Sequence, residues 1–378
     1  MPLWNSPYLG NFMECQLRLA EEVRSRFGYG THFVLGDGAQ GQAWRADVER
    51  AGASASVATT PGSALRQHII EVAEAHSGAL IHTHFSAPDL AGASAAHELG
   101  IPCIWQAHTG FDVYRLPQRA KDVVKMRIIA RRRVDRLLVV SPWLADLTRR
   151  RGAPGDRIHV IPNPIATERF SEAPDRAAAR TRLGLSPDAL VVLALGWWPT
   201  VKGVDVFVDA LDGIAARRGD VEGLLVGEED MRAFLDERLP RPPPWLRVTG
   251  FVEDAAWLFA AADVFVSASR HEGQSGAIGE ALACGLPVVM SDIPGSAEWA
   301  AAPHMSVFPS EDSAALAARL EPILAASPDQ RRARGAEAAL WVTATHGIDA
   351  WCERMSAIYA ELLPVATARS EPSRAPAA

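Results

Sequence analysis

The sequence lacks an excess of positive charge, a long apolar run and a secretory signal. Its 378 residues include 38 Lys and Arg against 45 Asp and Glu, a net charge of −7, which argues against a broadly basic nucleic-acid-binding surface. No apolar run reaches about 18 residues, the length that a membrane span needs. The first residues, MPLWNSPYLGN, show neither a basic start nor an apolar core. These absences predict a cytoplasmic protein.

Cysteine is also scarce. The four cysteines, Cys15, Cys103, Cys284 and Cys352, are widely scattered and form no C-x-x-C pair. We therefore expect reduced, mostly buried thiols and neither a disulfide framework nor a zinc site.

Short apolar runs alternate with longer amphipathic ones, a pattern typical of βαβ units with parallel sheets. In the first half the predicted strands are THFVL, ALIHTH, PCIWQAH, RLLVVS and RIHVIPNPI. A second series runs through ALVVLALG, VEGLLVG, LRVTG, ADVFVSAS and LPVVMSD. The polar stretch between the two series, TERFSEAPDRAAARTRLGLSPD, is interpreted as a connection between domains. The length also favours two domains, so the sequence predicts an α/β protein with two parallel sheets.

We place the domain boundary between residues 168 and 169, with a second domain over residues 169–346. The last long helix, GIDAWCERMSAIYAELL, lies within about residues 347–364 and is predicted to pack back on the first domain. The tail over residues 366–378 is rich in Ala, Pro, Ser and Arg and is predicted to be disordered. Because ligands gather at the carboxyl ends of parallel strands, we expect a ligand-binding cleft between the domains.

The stretch HEGQSGAIGEALACG follows a predicted strand and places two carboxylates eight residues apart. The amides of Gly273, Gln274 and Ser275 precede a predicted helix, where the helix dipole favours an anion. Glu272 and Glu280 flank this position, and carboxylates there can accept hydrogen bonds from the hydroxyls of a sugar or a ribose. The alternative is a pair of ordinary surface glutamates.

The stretch LGWWPTVKGVDVFVDAL runs from a strand through a turn at Gly196 to Lys202, just before a helix. The helix dipole disfavours a lysine at the start of a helix, so this position favours a ligand-binding role for Lys202. Its charge would suit a diphosphate. The alternative is an ordinary surface lysine.

These motifs resemble the E-x7-E signature of the retaining GT-B glycosyltransferases of family 4, also called group 1. The resemblance is strong from about residue 135 to 300 and extends through VIPNPIATERF and VTGFVEDAAWLFAAADVFVSAS. It implies two Rossmann-like domains facing across a central cleft. It also implies metal-independent, retaining transfer from a nucleotide-sugar, UDP-sugar favoured and GDP-sugar next, with no cofactor beyond this co-substrate.

The resemblance also implies roles for single residues. Glu280 would hold the ribose, Glu272 would lie beside the donor sugar, and Lys202 would neutralise the leaving diphosphate. His108 matches the histidine near the reacting centre. The other implied donor-binding residues are Gly196, Trp197, Val252, Gly273, Gln274 and Ser275. Gly10, Asn11 and His84 are expected on the acceptor side. Trp197 departs from the family, which commonly has an arginine there.

Other readings remain open at this stage. The acceptor is a small molecule, a lipid or a saccharide. Alternatives to glycosyl transfer are a GT-B phosphorylase, a pseudo-glycosyltransferase coupling enzyme, or a catalytically weak nucleotide-sugar binder. The pair His82 and His84 suits a metal geometrically, but a polar lining role is favoured because no third ligand lies nearby in sequence. GDGAQG has the glycine spacing of a dinucleotide site without its acidic residue and is interpreted as a flexible loop. The arginine runs ARRRVDR and TRRRG are interpreted as solvated helix faces in preference to a membrane contact.

Overall fold

The computed structural model describes residues 9–58, 62–85, 88–108, 123–170, 174–227, 229–239, 241–252 and 254–363. The chain divides into two compact units. Unit 1 comprises Met1–Gln106, Ile128–Leu138 and Cys352–Ala378, and unit 2 comprises Ala107–Arg127 and Val139–Trp351. The boundary predicted at residues 168 and 169 stays a prediction, and the tail at 366–378 lies outside the described residues.

Unit 1 is built on short parallel strands with helices around them. Its strands are β1 His32–Leu35, β2 Ser54–Val57, β3 Ile81–His84, β4 Cys103–Ala107 and β5 Arg136–Val139. Strand β1 pairs with β2 in a two-stranded sheet, while β3, β4 and β5 are neighbours in that order in another. Its helices are α1 Gly10–Phe27, α2 Arg45–Arg50, α3 Ser63–Ala75 and α4 Asp89–Leu99. A π-helical turn, Lys125–Ala130, leads into a helical turn at Arg131–Arg133.

Unit 2 contains one six-stranded parallel sheet. The strands of unit 2 are β6 Ile158–Val160, β7 Leu190–Leu195, β8 Val221–Val226, β9 Leu246–Thr249, β10 Val264–Ser267, β11 Val288–Asp292 and β12 Ser306–Pro309. The six-stranded sheet has the order β12-β11-β10-β7-β8-β9. Its central strands are continuous apolar runs because helices cover both faces of the sheet.

The other elements of this part of the chain, apart from 3₁₀ turns, are helices, the last of which follows the sheet. They are α5 Pro142–Arg150, α6 Arg176–Leu183, α7 Pro199–Lys202, α8 Val204–Ala215, α9 Glu229–Arg238, α10 Ala256–Ala261, α11 Gly276–Ala283, α12 Ser313–Ala325, α13 Pro328–His346 and α14 Ile348–Leu362. No helix in the described ranges is long and apolar enough to cross a bilayer.

The final helix, α14, contacts elements of unit 1. Arg136 Nη2 in β5 lies 2.7 Å from Glu361 Oε2, and Tyr359 Oη lies 2.7 Å from His82 Nδ1 in β3. These two contacts place the carboxyl-terminal half of α14 beside the strands of unit 1.

A buried carboxylate ties the start of β10 to three other elements. Asp263 is 7% exposed and accepts hydrogen bonds from the guanidinium groups of Arg176, Arg180 and Arg331. It also accepts from the amide of Val191 in β7 at 2.9 Å. These five residues, which we call the Asp263 cluster, join α6, α13 and two strands.

The predicted strands are found near their predicted positions, but strands β2 and β12 were not predicted, and the stretch between the two series differs from its interpretation. The stretch interpreted as a connection contains a 3₁₀ turn at Thr167–Phe170 and helix α6. Asp175 caps α6 by accepting from the amide of Ala178, and the Ala- and Arg-rich run that follows has high helix propensity. The GDGAQG stretch, interpreted as a loop, contains a 3₁₀ turn at Asp37–Ala39.

None of the four cysteines, all of which lie in the described ranges, forms a disulfide. Cys15, Cys103 and Cys352 are buried and Cys284 is half-buried. Burial is the main reason that the pKa values of the Cys103 and Cys284 thiols are raised well above the ordinary value, so both stay protonated at neutral pH.

Candidate active site

The loop between β10 and α11 positions two of the predicted functional side chains. Strand β10 is buried along its whole length and ends at Ser267, and α11 begins at Gly276. Ser275, the N-cap residue, is extended and makes no side-chain capping bond. The first amides of α11 are therefore not capped by the Ser275 side chain, and their partial positive charge suits an anion.

An ion pair forms the centre of this loop. Lys202 Nζ lies 2.7 Å from Glu272 Oε1, and each side chain is only 13% exposed. Ser269 Oγ donates to the same carboxylate oxygen at 2.8 Å. Structure thus brings together two residues that lie 70 positions apart in sequence and that the motifs singled out separately.

Trp197 supports the cation of this pair. Lys202 Nζ lies 4.9 Å from the centre of the Trp197 ring, which is within cation–π range. The Trp197 ring in turn stacks on Phe251, with centroids 5.6 Å apart and planes 26° apart. Trp197, which stands where the family commonly has an arginine, therefore supplies no charge, but its ring contacts the Lys202 ammonium group.

Two glycines allow the loops around the ion pair to approach each other. Gly203 has a φ of +64°, and a Cβ there would overlap the carbonyl oxygen of Ala268. A Cβ on Gly295 would overlap the carbonyl oxygen of Glu272. Gly295 is not among the predicted site residues, although its Pro-Gly turn after a strand is a recognisable signal.

Arg270 locks the same loop from its other side. Its guanidinium makes two hydrogen bonds to the carboxylate of Asp205, at 2.9 and 2.8 Å, and a third to the carbonyl oxygen of Thr200 at 2.7 Å. The hydrogen bond from Arg270 is the main cause of the lowered pKa of Asp205. Neither Arg270 nor Asp205 is among the predicted site residues, because the two lie 65 positions apart and no local motif joins them.

A chain of hydrogen bonds runs from the predicted catalytic histidine through the loop. His108 Nδ1 lies 3.1 Å from Asn163 Oδ1, and the backbone N–H of Asn163 donates to Gln274 Oε1 at 2.6 Å. The buried Gln274 donates from Nε2 to Glu298, whose Oε1 lies 2.9 Å from His346 Nε2. We call these five residues the Gln274 chain. Only His108 and Gln274 were predicted as site residues.

A buried serine holds the next residue of the loop. Ser141 is 2% exposed and donates from Oγ to the carbonyl oxygen of Gly273 at 2.9 Å, while also accepting from the amide of Leu144 at the start of α5. This contact and the Gln274 chain fix Gly273 and Gln274 from two directions.

Desolvation lowers the pKa of His108 to about 4, against the opposing effect of its hydrogen bond to Asn163. The ring is therefore neutral at pH 7. Because Asn163 presents its amide oxygen, the neutral tautomer carries its proton on Nδ1 and its lone pair on Nε2. A neutral imidazole of this kind accepts a hydrogen bond from a hydroxyl.

Glu280 lies half-buried on α11, one turn beyond Gly276. Its charge contributes to the raised pKa of Cys284, as does that of Asp254, while Arg169 acts in the opposite direction. Glu280 therefore belongs to a charged neighbourhood different from the ion pair at Glu272.

The remaining predicted donor-side residues line the ends of β7 and β9. Gly196 is buried, and a Cβ there would come within 2.6 Å of Met231 Sδ. Val252 is half-buried against the apolar core beside Phe251, which is 45% exposed. Trp198 has a φ of +56° and is 53% exposed, a strained position for a bulky residue.

The three predicted acceptor-side residues all lie in unit 1. Gly10 and Asn11 begin α1, and His84 ends β3. Phe12, the next residue along α1, contacts the His84 ring edge-on, with centroids 5.2 Å apart. The neighbouring His82 contacts a tyrosine: its Nδ1 lies 2.7 Å from Tyr359 Oη. Within the described residues no group of three or more His, Cys, Asp or Glu side chains could hold a metal.

Comparison with known proteins agrees with this geometry. The pattern of the family described as Glycosyltransferase Family 4 matches residues 31–169, and that described as Glycosyl transferases group 1 matches residues 188–326. The chain belongs to the family 4, group 1 glycosyltransferases. Between them the two matches span most of the described part of each unit.

Curated members of this glycosyltransferase family are similar over part of their length. A D-inositol 3-phosphate glycosyltransferase of Xylanimonas cellulosilytica is 32% identical over 250 residues, which cover 59% of this chain and 58% of that protein. One from Streptomyces avermitilis is 30% identical over 294 residues, 70% of this chain and 63% of that protein. The chain thus spans about three fifths of these relatives.

Solved glycosyltransferase structures establish the fold. Anabaena Alr3699/HepE in complex with UDP and glucose matches with a TM-score of 0.79 and 20% identity, over 95% of this chain and 98% of that one. A glycosyltransferase from Rickettsia africae ESF-5 matches with a TM-score of 0.77 and 15% identity, over 94% and 96%. The protein is therefore an α/β glycosyltransferase fold of the GT-B type, with parallel sheets in two Rossmann-like units.

Proposed function

We propose that this protein is a retaining glycosyltransferase that moves a sugar from a nucleotide-activated donor to an acceptor hydroxyl. The observation that carries the proposal is the ion pair of Lys202 and Glu272 ahead of the amino end of α11. A UDP-sugar is the favoured donor and a GDP-sugar the next, and support for UDP comes from the HepE complexes with UDP and UDP-glucose. Curated relatives carry the name glycosyltransferase.

The ion pair suggests how the donor is held. A diphosphate entering beside the amino end of α11 would attract Lys202 away from Glu272, because a diphosphate carries more charge than one carboxylate. Glu272 would then accept hydrogen bonds from the hydroxyls of the donor sugar, while the amides of Gly273 to Ser275 lie beside the phosphate. Glu280 would hold the ribose hydroxyls.

The neutral state of His108 fits a retaining reaction. In same-face attack the leaving phosphate takes the acceptor proton, so the protein has to position and stabilise charge and does not need a strong base. His108, with its lowered pKa, would bind a hydroxyl near the reacting centre. We propose that the reaction uses no metal ion and takes place in the cytoplasm, with a small molecule, lipid or saccharide as acceptor.

Ligand-induced thermal stabilisation tests the donor site first. UDP, GDP, ADP and dTDP are added to wild type, to Glu280→Ala and to Glu321→Ala, an exposed control on α12. At one hundred times its dissociation constant, the preferred nucleotide should stabilise wild type and the control by about 2.7 kcal/mol, and Glu280→Ala much less. If none of the four stabilises wild type, the nucleotide-sugar proposal is wrong.

Donor turnover separates the enzyme from its alternatives. The matching nucleotide-sugar is incubated with the protein in the presence of EDTA, and proton NMR records the anomeric configuration of the released sugar. Slow hydrolysis with the α configuration of the donor kept in the product supports metal-independent retention. Binding without hydrolysis would indicate the weak nucleotide-sugar binder. Breakdown of a glycoside that depends on phosphate or arsenate would indicate the phosphorylase.

A further inference from the structure

Lys202 lies on a helical turn that is too short to be stable by itself. Helix α7, Pro199–Lys202, has four residues and ends at Gly203, whose φ of +64° interrupts the helical conformation before α8. An isolated helix of one turn is marginal in water, because the first turn fixes several backbone angles for a single hydrogen bond. The Lys202 side chain pairs with Glu272, but in the function that we propose this pair opens when the donor binds. Other contacts therefore have to keep Lys202 in place during the reaction.

Arg270 supplies such contacts to α7. Its backbone N–H donates to the carbonyl oxygen of Val201 at 2.8 Å, and its Nη1 donates to that of Thr200 at 2.7 Å. The last carbonyl groups of a helix lack N–H partners within that helix, so donors from outside stabilise its end. Both donors come from the loop between β10 and α11, the loop that also carries Glu272.

The same guanidinium group holds the start of α8. Its Nη1 and Nη2 donate to the two carboxylate oxygens of Asp205, at 2.9 and 2.8 Å. Two parallel hydrogen bonds of this kind fix the orientation of the pair as well as its distance. The side chains of Arg270 and Asp205 are only 18% and 24% exposed. Arg270 thus contacts residues on both sides of Lys202, two before it and one after it.

The guanidinium group has too many partners to serve as a second phosphate ligand. In addition to its bonds to Thr200 and Asp205, its Nε lies 3.2 Å from Glu311 Oε1. Two carboxylates therefore neutralise its charge. Movement of Arg270 toward a phosphate would also leave the carboxylate of Asp205, which is mostly buried, without its partner. A contribution of Arg270 to the reaction has to act through the backbone around Lys202.

The packing at Gly203 makes the position of α7 depend on these bonds. A Cβ on Gly203 would come within 2.0 Å of the carbonyl oxygen of Ala268, so the two chain segments already touch. The turn can therefore move away from the loop between β10 and α11 but not toward it, and the bonds of Arg270 oppose the movement away. Such movement matters, because a displacement of about 1 Å can cost about 10²-fold in rate.

We propose that Arg270 is a positioning residue that holds Lys202 at the donor diphosphate through its bonds to Thr200, Val201 and Asp205. This inference rests on the proposed function, in which Lys202 neutralises the leaving diphosphate. The diphosphate gains charge as its bond to the sugar breaks, so a displaced Lys202 costs more in the transition state than in the ground state. We expect Arg270→Met to lower kcat by about tenfold to 10²-fold and to change the KM for the nucleotide-sugar by less than about threefold.

A double-mutant cycle with Lys202 tests whether Arg270 acts through this residue. Arg270→Met is introduced into wild type and into Lys202→Met, and kcat is measured for all four proteins. In the Lys202→Met background Arg270→Met should change kcat by less than about twofold, because the group that it positions is already absent. Equal losses in the two backgrounds would overturn the proposal. Arg238→Met, which breaks an exposed pair with Asp209 of α8, is the matched control and should leave kcat unchanged.

Chemical labelling of Lys202 tests its positioning without glycosyl transfer. The Lys202 side chain is 13% exposed, so acetic anhydride should acetylate it slowly in wild type and in Arg238→Met, as measured by peptide mass spectrometry. In Arg270→Met we expect acetylation to be at least about threefold faster, because the turn opens locally. An unchanged rate in Arg270→Met, shown to be folded by its urea unfolding curve, would overturn the proposal.

Two further arrangements keep the outcomes distinct. If Arg270→Met does not fold, Asp205→Asn, which weakens the same pair from the side of α8, takes its place in both tests. A wild-type protein that turns over no nucleotide-sugar would contradict the proposed function. Faster acetylation of Lys202 in the variant would in that case still support Arg270 as the residue that holds Lys202.

Discussion

At the scale of single residues, the most informative feature is that the Lys202 ammonium group contacts two different side chains. Lys202 pairs with Glu272 at 2.7 Å and lies over the ring of Trp197. In the function that we propose, a donor phosphate takes the place of the Glu272 carboxylate on Lys202, whereas the contact with the Trp197 ring is kept. Trp197 thus takes the place of a second cation without leaving Lys202 unsupported.

Removal of this charge should reduce transfer strongly. We expect Lys202→Met to lower the rate of sugar transfer by about 10²- to 10³-fold, the usual effect of losing one group that stabilises developing charge. Lys202→Arg should recover part of the rate, since it restores charge with a different shape. The measurement is donor turnover at saturating nucleotide-sugar, with Arg232→Met on the exposed face of α9 as the control. A rate within threefold of wild type in Lys202→Met would contradict the role.

At the scale of elements, loops are positioned by residues far away in sequence. The Gln274 chain connects the site loop with the 3₁₀ turn at Pro294–Ala301 and with the end of α13. The Glu298 carboxylate is the acceptor that Gln274 and His346 share.

We expect Glu298→Gln to loosen the loop between β10 and α11 while the protein stays folded. Gln274 and His346 both bond to the same oxygen, Oε1, which a glutamine amide can keep. The substitution removes the negative charge of this acceptor and so weakens both hydrogen bonds, at a cost of about 1–2 kcal/mol in unfolding free energy. We expect faster hydrogen exchange at Gly273 to Ser275 and a higher KM for the donor. Glu321→Gln, exposed on α12, should change neither quantity. Unchanged exchange in the loop of Glu298→Gln would contradict the positioning role.

The Asp263 cluster is expected to stabilise the fold. Asp263→Asn leaves the buried Arg180 and Arg331 and the exposed Arg176 without their shared carboxylate, and breaking a buried ion pair from one side costs about 3–5 kcal/mol. Asp209→Asn breaks an exposed pair with Arg238 and should cost at most about 1 kcal/mol. Urea unfolding measures both. A loss below 1 kcal/mol for Asp263→Asn would show that the cluster is not a structural centre.

At the scale of the whole molecule, two neutral histidines make stability depend on pH. The pKa of His32 is lowered to about 4, chiefly by burial and then by His76 and His68, and burial lowers that of His108 to about 4. In the unfolded chain both would have pKa values near 6.5. Between pH 6.5 and 4 the unfolded state therefore binds more protons than the folded state, and stability decreases as the pH falls.

We expect the unfolding free energy to be highest above pH 6.5 and to fall toward pH 4. His32→Gln and His108→Gln should each reduce this dependence, and the double variant should reduce it further, since the two residues lie in different units. Denaturant unfolding at pH 7.5, 6, 5 and 4 provides the curves. Curves of the variants that run parallel to that of wild type would mean that these histidines do not cause the dependence.

The sequence by itself determined the alternation of strands and helices, because apolar runs of strand length and amphipathic runs of helix length are local patterns. It also predicts anion binding by HEGQSG and by the cation of Lys202, because glycine, glutamate and lysine are recognisable at their positions along the chain, and these roles stay predictions. The short helix α6 was missed because the polar composition of its stretch outweighed the capping signal at Asp175.

Only the tertiary structure decided which of these residues meet. The pairing of Lys202 with Glu272, of Arg270 with Asp205 and of Gln274 with Glu298 joins residues between 24 and 70 positions apart. No local pattern encodes such contacts, because they depend on which strands become neighbours in the sheet. The same holds for the close approach at Gly203 and Gly295 and for the lowered pKa of His108, which arise from burial that the folded chain alone creates.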